Sequence, residues 1–278
     1  MSILIDVQDL QVSFSTTSQI INVVRGVSFA LETGETLGII GESGSGKSTV
    51  CKALLKLLSE NALLKGNILF QNKNIVSCTE KEMLGIRSNQ MAFIAQDSMT
   101  SLNPTMKIGK QMIEAFRKSM PAVSLAPANE MCCQYLEKLD LQQSQNIMQA
   151  YPHMLSGGMR QRILIAFALI RKPQLIIADE PTTALDRKLK QKVLQLLKNE
   201  VPSLLLVSHD LESVAKYCDK VIVMHEGRVV EAAATRKLFS HPQHPYTKTL
   251  LNSRLDIKID KNKFLMDHVF NLNSGKLN

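Results

Sequence analysis

Nine residues constrain this chain more than any others: Gly41–Thr49, which read GESGSGKST. They fit the phosphate-binding pattern G-x-x-x-x-G-K-[ST], with Gly41, Gly46, Lys47 and Ser48 at its fixed positions and Glu42, Ser43, Gly44, Ser45 and Thr49 completing the stretch. The pattern carries chemistry only between a strand and a helix, and the flanks supply both. Thr36–Ile40 (TLGII) predicts a short buried strand, while Val50, Ala53, Leu54, Leu57 and Leu58 recur at helical spacing. Glycines there let backbone N–H groups turn inward around phosphate oxygens without a Cβ in the way. The helix N-terminus adds its partial positive charge. Lys47 can reach β- and γ-phosphates, and the Ser48 hydroxyl can ligate Mg²⁺.

Several further strand ends carry polar residues that suit such a loop. Met91–Ala95 (MAFIA) predicts a buried strand ending at Gln96, a residue that either orients a water or a metal ion or sits in a surface turn. Leu175–Pro181 (LIIADEP) delivers two adjacent carboxylates, Asp179 and Glu180, to a strand end. In phosphate-loop enzymes this position holds a Mg²⁺-binding aspartate, and a glutamate one residue on is placed to act as general base. Ser203–Val207 (SLLLV) ends at Ser208-His209-Asp210; His209 is either a γ-phosphate sensor or a structural histidine. Ser156, Gly157 and Gly158 of Leu155–Gln161 (LSGGMRQ) precede the apolar run RILIAFALI, which makes an anion-ready helix start or a plain serine-capped one. Phe14, upstream of the phosphate loop, serves either as an adenine platform or as a core residue.

The remaining segments predict β structure over residues 1–31, a strand at Gly66–Phe70, helices over 128–140 and 187–197, and a hairpin from 220 to 231 around Glu226-Gly227. From Ser98 to Tyr151 the composition turns helical, as an insertion into an α/β core. His241 and His244 have metal-ligand spacing but no Cys or carboxylate beside them in sequence, so loop residues are expected there.

Composition excludes more than it assigns. The longest apolar stretch, Ile163–Ile170, has eight residues, against the roughly 20 a membrane-spanning helix needs. The opening MSILIDVQDL has no basic start followed by an apolar core, so a cytoplasmic protein is expected. Five cysteines, odd in number and without C-x-x-C spacing, argue against disulfides and zinc and for buried thiols. The net charge is +8 and aromatics are 5% with no Trp. Scattered Lys and Arg without interleaved aromatics fit a solvated surface near anionic lipid better than a nucleic-acid site.

Together, GESGSGKST, Gln96, LSGGMRQ, LIIADEP, TALD and SHD, in this order and spacing, resemble the nucleotide-binding subunit of an ABC transporter across about residues 3–252. LSGG is the most specific element. QDSMTSLNP, YPHMLSGGMRQR, IADEPTTALD and HPQHPYT further resemble the dipeptide, oligopeptide and nickel importer subfamily. The resemblance implies an α/β phosphate-loop NTPase fold, a RecA-like core with an antiparallel β subdomain and an inserted helical subdomain. The ATPase domain would cover 1–252, with core segments 1–97 and 162–252, a helical subdomain over about 98–161, and a short polar tail at 253–278. It implies that Phe14 stacks on adenine, Gly41–Thr49 hold the triphosphate, and Ser48, Gln96 and Asp179 surround Mg²⁺. Glu180 would polarise the attacking water and His209 would contact the γ-phosphate. Ser156, Gly157 and Gly158 would cap ATP held by a second ATPase subunit, with Asp186 at the dimer interface. Two membrane permeases, the coupling helix of one received in part by the loop Ser98–Pro104, and an external solute-binding protein would complete an importer on the cytoplasmic face of the inner membrane, with no direct nucleic-acid contact.

The chain departs from the pattern in three places. Position 159 is Met where the general signature has Gln. The span from Asp186 to His209 is short, which predicts a trimmed helix–strand connection. The tail after His244 has no cysteine, which tilts the expected cargo toward nickel or a metal chelate and away from peptide. A non-transport ABC ATPase acting on nucleic acid or ribosomes is the alternative, but there is one cassette and no sustained heptad run. A phosphate-loop kinase is disfavoured by LSGGMRQ.

Overall fold

The computed structural model of the protein describes residues 2–97 and 101–255. In chain order the elements begin with strands β1 (Ile3–Ser15), β2 (Ile20–Glu32) and β3 (Thr36–Ile40), helix α1 (Lys47–Leu54), and strands β4 (Ala62–Phe70) and β5 (Lys73–Asn74). Next come α2 (Glu80–Asn89), β6 (Met91–Ile94), α3 (Ile108–Ser119), α4 (Leu125–Lys138), α5 (Ser144–Gln149), a 3-10 turn at Pro152–Met154 and α6 (Gly157–Leu169). The chain continues with β7 (Leu175–Asp179), α7 (Arg187–Glu200), β8 (Ser203–Val207), α8 (Leu211–Tyr217), β9 (Lys220–His225), β10 (Arg228–Ala234), α9 (Thr235–Ser240) and α10 (Pro245–Leu255).

These elements form two compact units, one of residues 2–79 with 205–255, the other of Glu80–Leu204. In the first, β1 lies antiparallel between β2 and β4, and β5 extends the sheet beyond β4. Alternation along β1 sends Ile5, Val7, Leu10 and Val12 inward. A second sheet follows the order β10-β9-β3-β8. Here β3 runs parallel to β9 (Leu37 opposite Lys220 through Ile40 opposite Val223) and β10 closes back antiparallel. Every residue of TLGII is buried, as a parallel strand covered on both faces requires. The turn of the β9–β10 hairpin is left-handed at both central residues, Glu226 (φ 47°) and Gly227 (φ 78°), the backbone that matches strand twist.

In the second unit β6 and β7 pair in parallel, Met91 opposite Leu175 through Ile94 opposite Ala178. LIIAD of β7 is buried throughout. Around this pair stand α2 to α7; α4 buries Cys132, Cys133, Tyr135 and Leu136, and α6 buries Ile163, Ile165, Ala166 and Leu169. All five cysteines are buried and none is in a disulfide. Burial, reinforced by neighbouring Cys133, pushes the Cys132 thiol from 9.0 up to about 12.

Most sequence expectations on elements hold, with shifted ends. Helix α1 stops at Leu54, so Val50, Ala53 and Leu54 are buried as the stripe requires while Leu57 is 45% exposed. The trimmed connection between α7 and β8 consists of Val201 and Pro202. The helical segment expected over 98–161 contains α3, α4 and α5, but the compact unit around it is wider, beginning at Glu80. Helices α2, α8, α9 and α10 were not anticipated. Ser98–Thr100 of the expected permease-facing loop, and the expected tail from residue 256 on, lie outside the described residues. Among the described residues no helix is long and apolar enough to cross a membrane.

Candidate functional site: a phosphate loop and a paired-acid strand end

The turn between β3 and α1 is built by glycines that nothing else can replace. Gly41 has φ 153°, and a Cβ there would lie 2.2 Å from the Met224 carbonyl oxygen. Gly46, the residue before α1, has φ 99°, and its Cβ would sit 3.0 Å from the Val23 carbonyl oxygen. Such backbone is open to glycine and strained for other residues. Because Gly46 has no side chain, α1 starts without a side-chain cap. Within that loop the Lys47 ammonium, only 9% exposed, donates to the Gly41 carbonyl at 3.0 Å, the Glu42 carbonyl at 2.7 Å and Ser45 Oγ at 3.3 Å. A lysine held on three oxygens of its own loop is a cation positioned for an anion whose oxygens can take their place. Glu42, Ser43 and Gly44 are exposed at the rim, and Ser48 and Thr49 are half-buried in the first turn of α1.

Other sequence-predicted residues of this unit take distinct positions. Phe14 on β1 stands between Ile21 of β2 and Ala62 of β4. It is half-buried, which leaves part of its ring available to a planar ligand and argues against a sealed core role. His209 is exposed beyond the end of β8. Its neighbours are fixed on both sides: the Ser208 N–H donates to the Ile39 carbonyl at 3.3 Å, and Asp210 caps α8, accepting from the Glu212 and Ser213 N–H groups at 3.2 and 3.4 Å.

The second unit holds the acidic strand end. Asp179, the last residue of β7, is 3% exposed. Glu180 follows with φ 51°, a left-handed backbone that costs a glutamate about 1 kcal/mol. Strain of this kind survives where its surroundings hold it and clusters at functional sites. The turn after it is held by Thr183, whose hydroxyl donates to the Glu180 carbonyl at 2.9 Å. The signature segment packs beside this turn. Gln161 Nε2 donates to the Pro181 carbonyl at 3.0 Å, and a Cβ on Gly158 would lie 3.1 Å from the Ala184 carbonyl oxygen. Ser156 Oγ caps α6 by accepting the Met159 N–H at 3.3 Å, while in front of Gly157 a Cβ would meet nothing within 4 Å. Asp186 caps α7, its carboxylate accepting the Leu189 N–H at 3.0 Å. Gln96 is exposed, two residues beyond β6.

Sequence reasoning passed over two contacts. Gln161, the last residue of LSGGMRQ, ties the signature to the acidic turn, although it reads as an ordinary helical polar residue. Tyr246 reaches the phosphate loop, where its hydroxyl accepts the Glu42 N–H at 3.1 Å; the HPYT string that holds it carried no chemistry by itself. His244 also has a carboxylate beside it, from β10: its N–H donates to Glu231 at 2.9 Å. A cavity of about 720 Å³ between α3, α4 and α5, with Lys107, Ile113, Arg117 and Met148 in its wall, includes none of the predicted site residues.

A glycine-built phosphate loop ahead of a helix, in a fold whose buried strands end in polar residues, defines a phosphate-loop nucleotide-binding protein. The comparisons narrow the class. The ABC transporter family model matches residues 24–183. A second model, the oligopeptide/dipeptide transporter C-terminal region, matches residues 230–269. The chain is 44% identical over 262 residues to the oligopeptide transport ATP-binding protein OppD of Escherichia coli, spanning 91% of this chain and 77% of the relative. It is 43% identical over 262 residues to the dipeptide transport ATP-binding protein DppD of Bacillus subtilis, spanning 91% and 78%. Among solved structures, a dimeric post-hydrolysis state of the ATP-binding cassette MJ0796 bound to ADP and Pi superposes with TM-score 0.76 at 25% identity, over 83% of this chain and 98% of that one. This chain belongs to the ABC transporter family, as one of its ATP-hydrolysing cassettes.

Proposed function

We propose that the chain energises a di- or oligopeptide importer by binding and hydrolysing ATP as one of two cassettes. The observation that carries the nucleotide part is Lys47, held on three oxygens at the mouth of a loop that only glycines can form. Gly41–Thr49 bind the triphosphate, the N–H groups at the start of α1 and the Lys47 ammonium taking its β- and γ-oxygens. Phe14 carries the adenine ring on its exposed face. Glu180 accepts a proton from the attacking water, and His209 hydrogen-bonds the γ-phosphate. Ser48, Gln96 and Asp179 offer hydroxyl, amide and carboxylate oxygens, hard donors that suit Mg²⁺, and these residues would hold it. When bound, Mg²⁺ supplies positive charge against the phosphoryl oxygens. The chain's own contribution is positioning and electrostatics.

Ser156, Gly157 and Gly158 are assigned to the ATP of a second cassette, with Asp186 at the same interface; the open space in front of Gly157 supports this reading. The second cassette, two permeases and an external solute-binding protein are the partners, and the complex sits at the cytoplasmic face of the inner membrane. For the cargo, peptide is favoured over nickel. The relatives quoted above are named for peptides, and the matched C-terminal region is that of oligopeptide/dipeptide transporters. The cysteine-free tail that tilted the sequence reading toward nickel therefore gains no support.

The test is co-expression with the permeases encoded beside it, reconstitution in vesicles, and ATP-dependent uptake of labelled dipeptide, oligopeptide and nickel. Peptide uptake that stops with Lys47→Ala is expected. Uptake of nickel alone overturns the cargo, and recovery with ribosomes or DNA in place of permeases overturns transport altogether.

A further inference from the structure

The segment Gln243–Thr247 is anchored by more contacts than a surface loop needs. Glu231 of β10 accepts the Gln243 N–H at Oε1 and the His244 N–H at Oε2, both at 2.9 Å. Burial pushes the Glu231 carboxyl up, but the Gln243 N–H, the Thr247 hydroxyl and the His244 N–H together carry it below its ordinary value. The His244 ring turns back onto the same segment, Nδ1 accepting the Tyr246 N–H at 3.2 Å. Helix α10 then locks the segment from the other side, with Thr247 at 0%, Leu250 at 4% and Leu251 at 3% exposure. The result is a tyrosine whose backbone has little freedom.

Tyr246 projects from this anchor toward the phosphate loop. Its ring stacks on His225, the last residue of β9, with centroids 3.8 Å apart and planes 27° from parallel. Its hydroxyl accepts the N–H of Glu42, the second residue of the loop, at 3.1 Å. The neighbouring hairpin braces the same loop further along, where the Gly227 N–H donates to the Ser45 carbonyl at 3.2 Å. Glu42 also presents its carbonyl to Lys47 at 2.7 Å, so one peptide unit away from the tyrosine contact lies the ammonium that meets phosphate.

We propose that Tyr246 is a positioning residue for nucleotide, holding the rim of the phosphate loop in its ligand-ready shape through the Glu42 N–H. This rests on the ATP-binding reading above. The matched C-terminal region thereby acquires a task in the ATPase cycle: its His-Pro-Tyr string is a strut from β10 to the loop. Ordering the rim before ATP arrives lowers the cost of binding, an effect felt in affinity and much less in the rate of the chemical step.

The test is Tyr246→Phe in the full chain, which deletes the hydroxyl and keeps the ring on His225. Binding of Mg-ATP by calorimetry is expected to weaken about fivefold, the factor carried by one lost hydrogen bond. KM for ATP rises in step while kcat stays within about twofold, because the interaction is the same in ground and transition states. Amide hydrogen exchange at Glu42 speeds up by about the same factor, which packing alone would not produce. Unchanged affinity and unchanged Glu42 exchange overturn the proposal, as does a fall in kcat with KM untouched. His225→Ala, which removes the platform and leaves the hydroxyl, is expected to reproduce the affinity loss in part; wild-type affinity in both variants overturns the strut. Lys47→Ala in parallel separates the two levels: if it binds ATP as tightly as the wild type, the nucleotide reading itself fails, and if its affinity collapses, a silent Tyr246→Phe condemns the strut alone.

Discussion

Two helices of this molecule start at glycine-rich turns, and they start differently. At α1 the glycines are compelled by geometry: Gly46 is left-handed, Gly41 faces a carbonyl oxygen that excludes any Cβ, and the helix has no side-chain cap. At α6 the cap is made internally by Ser156, Gly157 stands before open space, and only Gly158 is crowded, by Ala184. The first helix start has no side-chain cap from Gly46, and an uncapped helix N-terminus suits an anion. The second carries its own serine cap, and Gly157 leaves open space in front of it, the clearance that the proposed second cassette would use. In the proposed mechanism one is the resident binding site and the other a face for transient closure. The two similar-looking strings GESGSGKST and LSGGMRQ therefore spend their glycines on unrelated problems.

In the proposed mechanism neither helix start performs the chemical step, and Glu180→Gln isolates that point. Phosphate release is expected to fall by about a thousandfold, the scale of losing a general base. ATP binding stays intact, and light scattering should find a nucleotide-dependent dimer; hydrolysis at the wild-type rate removes Glu180 from the proposed role. Lys47→Ala strikes the resident site alone. A buried charge-assisted contact of this kind is worth roughly 2–3 kcal/mol, so calorimetry should record ATP affinity about a hundredfold weaker.

The contrast is most exposed by a pair of glycine-to-alanine changes. Gly41→Ala places a Cβ 2.2 Å from a backbone oxygen and should cost about 2 kcal/mol or more of stability in thermal or urea unfolding. Gly157→Ala should leave unfolding within about 0.5 kcal/mol of wild type yet reduce ATP-driven dimerisation and turnover. If Gly157→Ala destabilised the isolated chain as much as Gly41→Ala, the clearance reading would be wrong. The smallest effect belongs to Ser156→Ala, which removes the cap of α6 and should lower stability by about 1 kcal/mol; an unchanged denaturation midpoint would mean that the 3.3 Å bond contributes nothing.

What the sequence disclosed follows the same physics. TLGII, LIIAD and SLLLV were legible as buried strands because parallel strands covered on both faces need unbroken apolar runs. Each was followed by the polar residues now seen at its end. The phosphate loop was legible because its residue types are dictated locally, by backbone angles and one lysine. Helix α10 was hidden because its sequence, PYTKTLLNSRL, has no clean stripe; the residues just before it are held by Glu231 of β10, and it buries a threonine. Helix α2 was hidden for a related reason, since it buries only Met83 and Ile86 and leaves Leu84 58% exposed. Tyr246 was noticed only as part of a family string. A contact spanning two hundred residues of chain leaves no periodicity to find.

The five buried thiols have a practical consequence for following the proposed pairing of two cassettes. With every native sulfhydryl shielded, and Cys132 ionising only near 12, the folded protein should be almost inert to maleimide reagents at neutral pH. The chain also contains no Trp, so its native fluorescence in the indole window is dark. A single cysteine or tryptophan introduced beside Gly157 would thus report the approach of a second subunit against a silent background, without first stripping the protein of residues on which its core depends.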